Sequence, residues 1–595
     1  MTKTQTILLA AIAAALGGCV TAGTQRASAS RVDVDSHLVL ASIAQERGEG
    51  ESAAENYLAA ARLSDDARFA EAAAELAHEY GLTELGLEAA ILWRTLAPAN
   101  PRVNQFMGIF QMRSGNVEAA VDEFEVILSS TENTGPALAF LMEFMAADTD
   151  PRTTTAVVAR LVEIYPDTPE GHYGLARLSL RSGDYLLALD NAERAVELEP
   201  EWIEAQLLYA RMLLVAGRTE EGLELAAEVV AERPELEFRL QYAELLLSAG
   251  RQEAARELLD EILEANPGLP EAVRALAFLT LTLEDFEASR QHFNELRGQP
   301  QYRDEAFFYL GRIDEAEDQP LQAFRSYSRV TSGSNAVEAQ LRAANLLFTE
   351  LSDQSGAILH LREFGIANPD FATQMLVAES ELLLQLERED EALQRFSESL
   401  QTRPDDLLLR DAHAQLFISI AQAEIDRSEL DAAEDTLQSG LALYRDSRSL
   451  RYAQALLYQE QGRNRRSANA LKDLVRDIPG DASLLNALGY LLTDRMDRHE
   501  EAFDYLEEAL ALEPDNPAII DSMGWVLFHL GDLEGALTHL ERAYELFPDP
   551  EVAAHIIDTQ WALGNRDLAL EMLRETLESN PESSHLTELE QRLPQ

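Results

Sequence analysis

Residues 517–548 read PAIIDSMGWVLFHLGDLEGALTHLERAYELFP, and the placing of small and apolar residues in this run decides the fold. Ile520, Met523 and Leu527 recur at helical spacing, and so do Ala536, Leu540 and Ala543. Gly531 separates the two runs and Pro548 closes the second. Each small residue has a physical reason. Gly524 falls in mid-helix, where glycine costs about 1 kcal/mol against alanine, so a close approach by the second helix must offset it, with Ala536 opposite. Gly531 falls at the turn, where the left-handed conformation is easy for glycine. Pro548 cannot continue a helix, and Ala543 leaves room for the next unit. The run reads as a helical hairpin.

The same phase recurs along the chain. Turn glycines stand at Gly183, Gly217, Gly250 and Gly564, each followed five residues later by Ala188, Gly222, Ala255 or Ala569. Prolines close units at Pro200, Pro234, Pro267, Pro514 and Pro581. A period of about 34 residues is the mark of a solenoid, and this one fits the tetratricopeptide pattern W-x2-L-G-x2-Y, A-x3-F, P with Ile and Leu replacing the aromatics. The expected fold is an all-α superhelical solenoid of roughly 13 to 14 helix pairs. Residues 131–168 and 405–450 read as irregular, and the turn at Asp494–His499 reads as slightly lengthened. The expected organisation is a leader over 1–18, a flexible tether over 19–33, repeats over 34–300, and further repeats over 301–595 ending in a capping helix. In that last helix Leu586, Leu589 and Leu593 fall inward and Glu588, Glu590 and Arg592 outward.

The 595 residues carry 48 Lys and Arg against 105 Asp and Glu, a formal charge of −57. That argues against nucleic acid, whose phosphates require cations. Such acidity reads either as a solvated, salt-tuned surface or as steering of a basic partner.

Cys19 is the only cysteine, so no intrachain disulfide exists. Lys3 provides a short basic region, and Ile7–Leu16 an apolar stretch too short to span a bilayer. Leu16-Gly17-Gly18-Cys19 resembles the bacterial lipoprotein box; a plain secretory signal is the alternative. In the lipoprotein reading Cys19 becomes the acylated first residue, and Val20, by resemblance to lipoprotein sorting rules, directs it to the outer membrane facing the periplasm.

No catalytic constellation stands out. The sequence has no Gly-rich phosphate loop and no Gly-x-Ser-x-Gly elbow, and its eleven histidines show no zinc-binding spacing. The chain therefore reads as a non-enzyme without cofactor or metal. Candidate partner-binding residues follow from the repeat phase. Arg177 and Arg211 take the same place on the first helices of consecutive units, where they either receive a carboxylate or pair with neighbouring Glu. Trp525 takes the equivalent place in the late unit, near Asp521 and His529. A basic island, with Arg463, Arg465 and Arg466 at its centre, carries eight cations against four acids between Arg445 and Asp477. It either meets an acidic partner or lipid head groups, or neutralises adjacent acidic repeats.

The stretch from Asn486 to Gly564 resembles a more particular family. It contains NALGYLLTDR, then EEALALEPDNPAIIDSMGWVLFHLG, then LERAYELFPDPEVAAHIIDTQWALG. It is similar to the proteobacterial tetratricopeptide lipoproteins that partner a periplasmic carboxyl-terminal processing protease. The runs Asp-Ser-Met-Gly-Trp at 521–525 and Asp-Pro-Glu-Val-Ala-Ala-His at 549–555 carry most of the likeness. The resemblance implies a lipid-anchored adaptor that recruits the protease and presents its substrates, peptidoglycan hydrolases, without cleaving them. The alternative is an assembly lipoprotein serving a pilus, a polysaccharide exporter or an outer-membrane insertion machine.

Overall fold

A computed structural model of the chain describes residues 25–146 and 151–593; the expected leader and Cys19 lie outside them. Among the described residues there are 33 α-helices, one short 3₁₀ turn and no strand. The chain divides between Gln299 and Pro300 into two compact units. Each is a stack of helical hairpins, as the period of the small residues requires.

The hairpin at 517–548 shows how one repeat is made. Its first helix spans Pro517–Leu530 and its second Leu533–Leu546. Asn516 caps the first through the amide of Ala518 at 3.1 Å, with Pro517 in the first turn. Asp532 caps the second through the amide of Gly535 at 3.0 Å. Gly531 takes φ 89°, closing the first helix. A Cβ on Gly524 would lie 2.6 Å from Leu540 Cγ and 3.2 Å from the Ala536 carbonyl, so the close approach read from sequence is real. Leu540 and Ala543 are fully buried and share a cluster with Ile520, Val552 and Ile556, the last two on the next repeat's first helix. Burial between repeats is what ties the array together.

Four details differ from the sequence reading. The helices form sixteen pairs and a final single helix, more than the expected number. Two of the added pairs fall in stretches read as irregular. Thr134–Ala146 and Pro151–Ile164 fill 131–168; Leu407–Asp426 and Leu430–Leu443 fill 405–450. The latter were hidden because Leu407–Asp426 runs 20 residues against 13 or 14 in its neighbours, and because Ser428 stands where the turn glycine was expected. The first helix, Gln25–Glu46, begins inside the segment read as a tether, which has neither Gly nor Pro after Gly23 to stop it. Fourth, the turn at Asp494–His499 is not lengthened. The helix Ala482–Met496 simply runs one residue further before Asp497 turns left-handed at φ 51°.

The tail forms the helix Ser584–Arg592. Leu586, Leu589 and Leu593 are buried against Ile557 and Leu573, and Glu588, Glu590 and Arg592 are exposed.

Candidate partner-binding surfaces

Arg177 lies on the first helix Pro169–Ser182, in a cleft of about 330 Å³. The walls come from successive first helices. Ala139 and Met142 project from Thr134–Ala146, Tyr173, Gly174 and Leu178 from Pro169–Ser182, and Trp202 from the residue preceding Ile203–Val215. Tyr173 and Trp202 rings meet at 4.6 Å, and the Arg177 guanidinium lies 5.8 Å from the Tyr173 ring. Among the described residues Arg177 has no carboxylate ion-pair partner; Glu143, Glu170 and Arg181 complete the rim. An apolar aromatic floor with one open guanidinium suits a side chain or chain end that carries a carboxylate. Burial pushes the Tyr173 hydroxyl up, and Arg177 and Arg211 both act against that shift, so the two arginines do converge here. Arg211 is engaged, however: its Nη2 donates to Glu244 of the next repeat at 3.0 Å. Arg211 is thus paired with a neighbouring Glu, and Arg177 is left open.

In the late repeats the structure joins the two family-specific runs. His555 Nδ1 lies 2.9 Å from Asp521 Oδ1, and the His555 ring stacks on Trp525 at 4.0 Å and 15°. Burial alone lowers the His555 pKa, but the bond and charge of Asp521, with Glu551 and Asp558, outweigh it and the net shift is upward. Asp521 and His555 are both buried, so this pair fastens one first helix to the next. Trp525 is half-buried, stacks on Phe528 at 4.9 Å, and has its Nε1 covered without an acceptor. It is a packing residue that stays partly accessible. His529 is exposed, set edge-on to Trp525 at 4.6 Å and stacked on His499 at 4.7 Å. Partial desolvation by the neighbouring rings, and then His499 beside it, lower its pKa.

Tyr490 follows Gly489 as Trp525 follows Gly524, and that register could have marked it. Its hydroxyl donates to Glu551 at 2.6 Å, spanning two repeats. Trp202 carried no such signal, because it precedes its helix and lies outside the periodic positions.

The basic island resolves into paired and open members. Arg463 pairs with Glu434 at 2.7 Å, Arg451 with Asp477 at 2.8 Å, Arg448 with Asp481 and Lys472 with Glu501. Three of these carboxylates, Glu434, Asp481 and Glu501, lie outside the stretch counted in sequence. Arg465 and Arg466 have no ion-pair partner among the described residues and are exposed. A larger groove of about 1020 Å³ lies beside Arg445, Tyr444 and Tyr452. Among the described residues no group of His, Cys, Asp and Glu is placed to hold a metal ion, and no helix is long and apolar enough to cross a membrane.

Known proteins carry the same repeat. Residues 173–237, 236–279, 452–517 and 495–554 match tetratricopeptide repeat families. The chain is 30% identical over 527 residues to the TPR repeat-containing protein PA4667 of Pseudomonas aeruginosa, a match covering 87% of this chain and 81% of the relative. Among solved structures, a tetratricopeptide protein of Thermus thermophilus is 21% identical over 29% of this chain and 95% of its own, with a TM-score of 0.27. The Cut9–Hcn1 assembly is 14% identical over 94% of this chain and 96% of the matched one, with a TM-score of 0.31. With its hairpins, its turn positions and a relative 30% identical over most of both chains in agreement, the chain belongs to the tetratricopeptide-repeat family.

Proposed function

We propose that this protein is a lipid-anchored adaptor at the periplasmic face of the outer membrane. It binds a carboxyl-terminal processing protease and presents that protease's substrates, peptidoglycan hydrolases, without cleaving them. Tetratricopeptide repeats bind proteins and peptides, and the observation that supports binding here is the Arg177 cleft. Its Tyr173 and Trp202 floor takes an apolar side chain while Arg177 receives a carboxylate in bidentate geometry. The partner's identity rests on the runs at 521–525 and 549–555. Lipid anchoring rests on Cys19, whose acyl chains would each contribute about 0.8 kcal/mol per buried CH₂.

The test is co-purification of the full chain with its cognate protease at low and high salt. The protease is expected to be retained by the native chain and lost with Arg177→Glu. Failure of the native chain to retain it at any salt overturns the adaptor reading in favour of an assembly scaffold. Retention unchanged by Arg177→Glu removes the cleft from the interface. Cys19→Ser should move the protein from the membrane to the soluble fraction, and unchanged fractionation overturns the anchor.

A further inference from the structure

The turns at 461–464 and 494–498 of two consecutive repeats enclose a cleft of about 740 Å³. Arg463, Arg465, Arg466, Arg495 and Arg498 line it together with Asn464 and Asn469, and no acidic residue does. In a chain with 105 acidic residues, such a lining is the reverse of the surrounding surface. Five guanidiniums brought to one cleft repel one another. Carboxylates relieve only part of this. Glu434 takes Arg463, Asp494 takes Arg495 at 2.8 Å, and Glu501 takes Arg498, while Arg465 and Arg466 have no ion-pair partner among the described residues.

The cleft is also pre-formed. Asn464 Nδ2 donates to the Arg495 carbonyl at 3.3 Å and holds the two turns together. The helix Asn464–Asp477 opens into it with no acid in its first turn and no side-chain cap. Instead the first turn carries Arg465 and Arg466, cations at the positive end of the helix, where they are least favourable. An anion seated there would reverse every one of these terms at once.

We propose that this cleft binds a phosphate group. Several planar forks converging from two turns suit a tetrahedral anion with three or more oxygens, whereas a carboxylate offers two. The group is either the phosphodiester of an anionic lipid head or a free phosphate compound. The site shares no residue with the Arg177 cleft and does not depend on the partner reading.

The test uses the full chain carrying Cys19→Ser, so that acyl chains contribute no binding. Pyrophosphate is titrated calorimetrically, and sedimentation is measured with phosphatidylglycerol vesicles and with phosphatidylcholine vesicles. At least one of the two anionic probes should bind, with affinity falling steeply as salt rises. Arg465→Gln with Arg466→Gln should weaken that binding about 10- to 100-fold with the melting temperature unchanged. Arg476→Gln, outside the cleft, should leave it unaltered. Binding of pyrophosphate alone assigns a soluble phosphate; binding of phosphatidylglycerol vesicles alone assigns the head group. Should the double glutamine variant melt early, Arg465→Lys with Arg466→Lys keeps the charge and should still lose affinity with the forks. Binding of a polyglutamate peptide but neither phosphate probe overturns the proposal, and so does full affinity in both double variants.

Discussion

At each described turn between the two helices of a repeat, one residue takes the left-handed conformation. Glycine fills that place at Gly531 and Gly183, but Glu284, Asp318, Ser352, Glu387, Ser428 and Asp497 fill it elsewhere with φ from 51° to 63°. A side chain in that region costs about 1–2 kcal/mol. Glycine removes this cost but returns about 0.5–1 kcal/mol as unfolded-chain entropy. Changing Ser352, Glu387 and Ser428 together to glycine should therefore stabilise the second unit by about 2 kcal/mol, since the three turns share no partner. All three residues are exposed, so no packing is lost. Hydrogen exchange of the following helices, Gln354–Ala367, Glu389–Thr402 and Leu430–Leu443, should slow by about 2- to 5-fold each. The mirror experiment is Gly531→Ala. Its Cβ would meet no neighbouring atom within 4 Å, so a net loss of about 0.5–1 kcal/mol, the left-handed cost less the unfolded-chain entropy, would be wholly conformational. Faster exchange in the triple glycine variant, or a neutral Gly531→Ala, would refute the reasoning.

Burial pushes His413 down to about 4, while its Nδ1 lies 2.7 Å from the Tyr444 hydroxyl. The unfolded chain takes up this proton from about pH 6.5 downward and the folded chain refuses it until about 4, so stability falls with pH across that window by about 3 kcal/mol. His413→Phe should flatten that slope in urea titrations relative to the native chain; equal slopes would exclude His413 as the cause. Glu379 is 1% exposed, with Arg362 Nε and Arg395 Nε each 3.0 Å from one of its oxygens. Glu379→Gln should cost about 3 kcal/mol and the more exposed Glu391→Gln under about 1 kcal/mol, compared by denaturant midpoint; similar costs would contradict the buried-pair account. Truncation after Pro581 removes Leu586, Leu589 and Leu593 from Ile557 and Leu573. The melting temperature should drop and exchange in Arg566–Ser579 should quicken, and an unchanged melt would show the last helix to be no cap.

The repeat was legible where glycine and proline mark it. Gly183, Gly217 and Gly250 space three early units, and Gly531 and Gly564 two late ones, because a tight turn and a close helix contact each restrict the residue types allowed. Between residues 284 and 428 the same turn is filled by Glu, Asp and Ser, which local strain tolerates and a pattern search passes over. Of the pairs there, Leu407–Asp426 with Leu430–Leu443, in the stretch read as irregular, emerged from the structure alone. The candidate sites divide in the same way. Arg177 was placed by its phase, but the aromatic cleft around it depends on Trp202, which reaches in from beyond the periodic positions.

The order of side chains along the chain was enough to determine an all-α repeat, its period, its acidity and the positions of its tight contacts, because these depend on residues within one or two turns of each other. Which charges stay open is a different matter. Arg211 and Arg463 are taken by Glu244 and Glu434, while Arg177, Arg465 and Arg466 are left. The meeting of Asp521 with His555 likewise spans two repeats. Pairings across 29 to 34 residues depend on how successive helices stack, since each guanidinium has several carboxylates within reach of its sequence phase and only the packed array selects one.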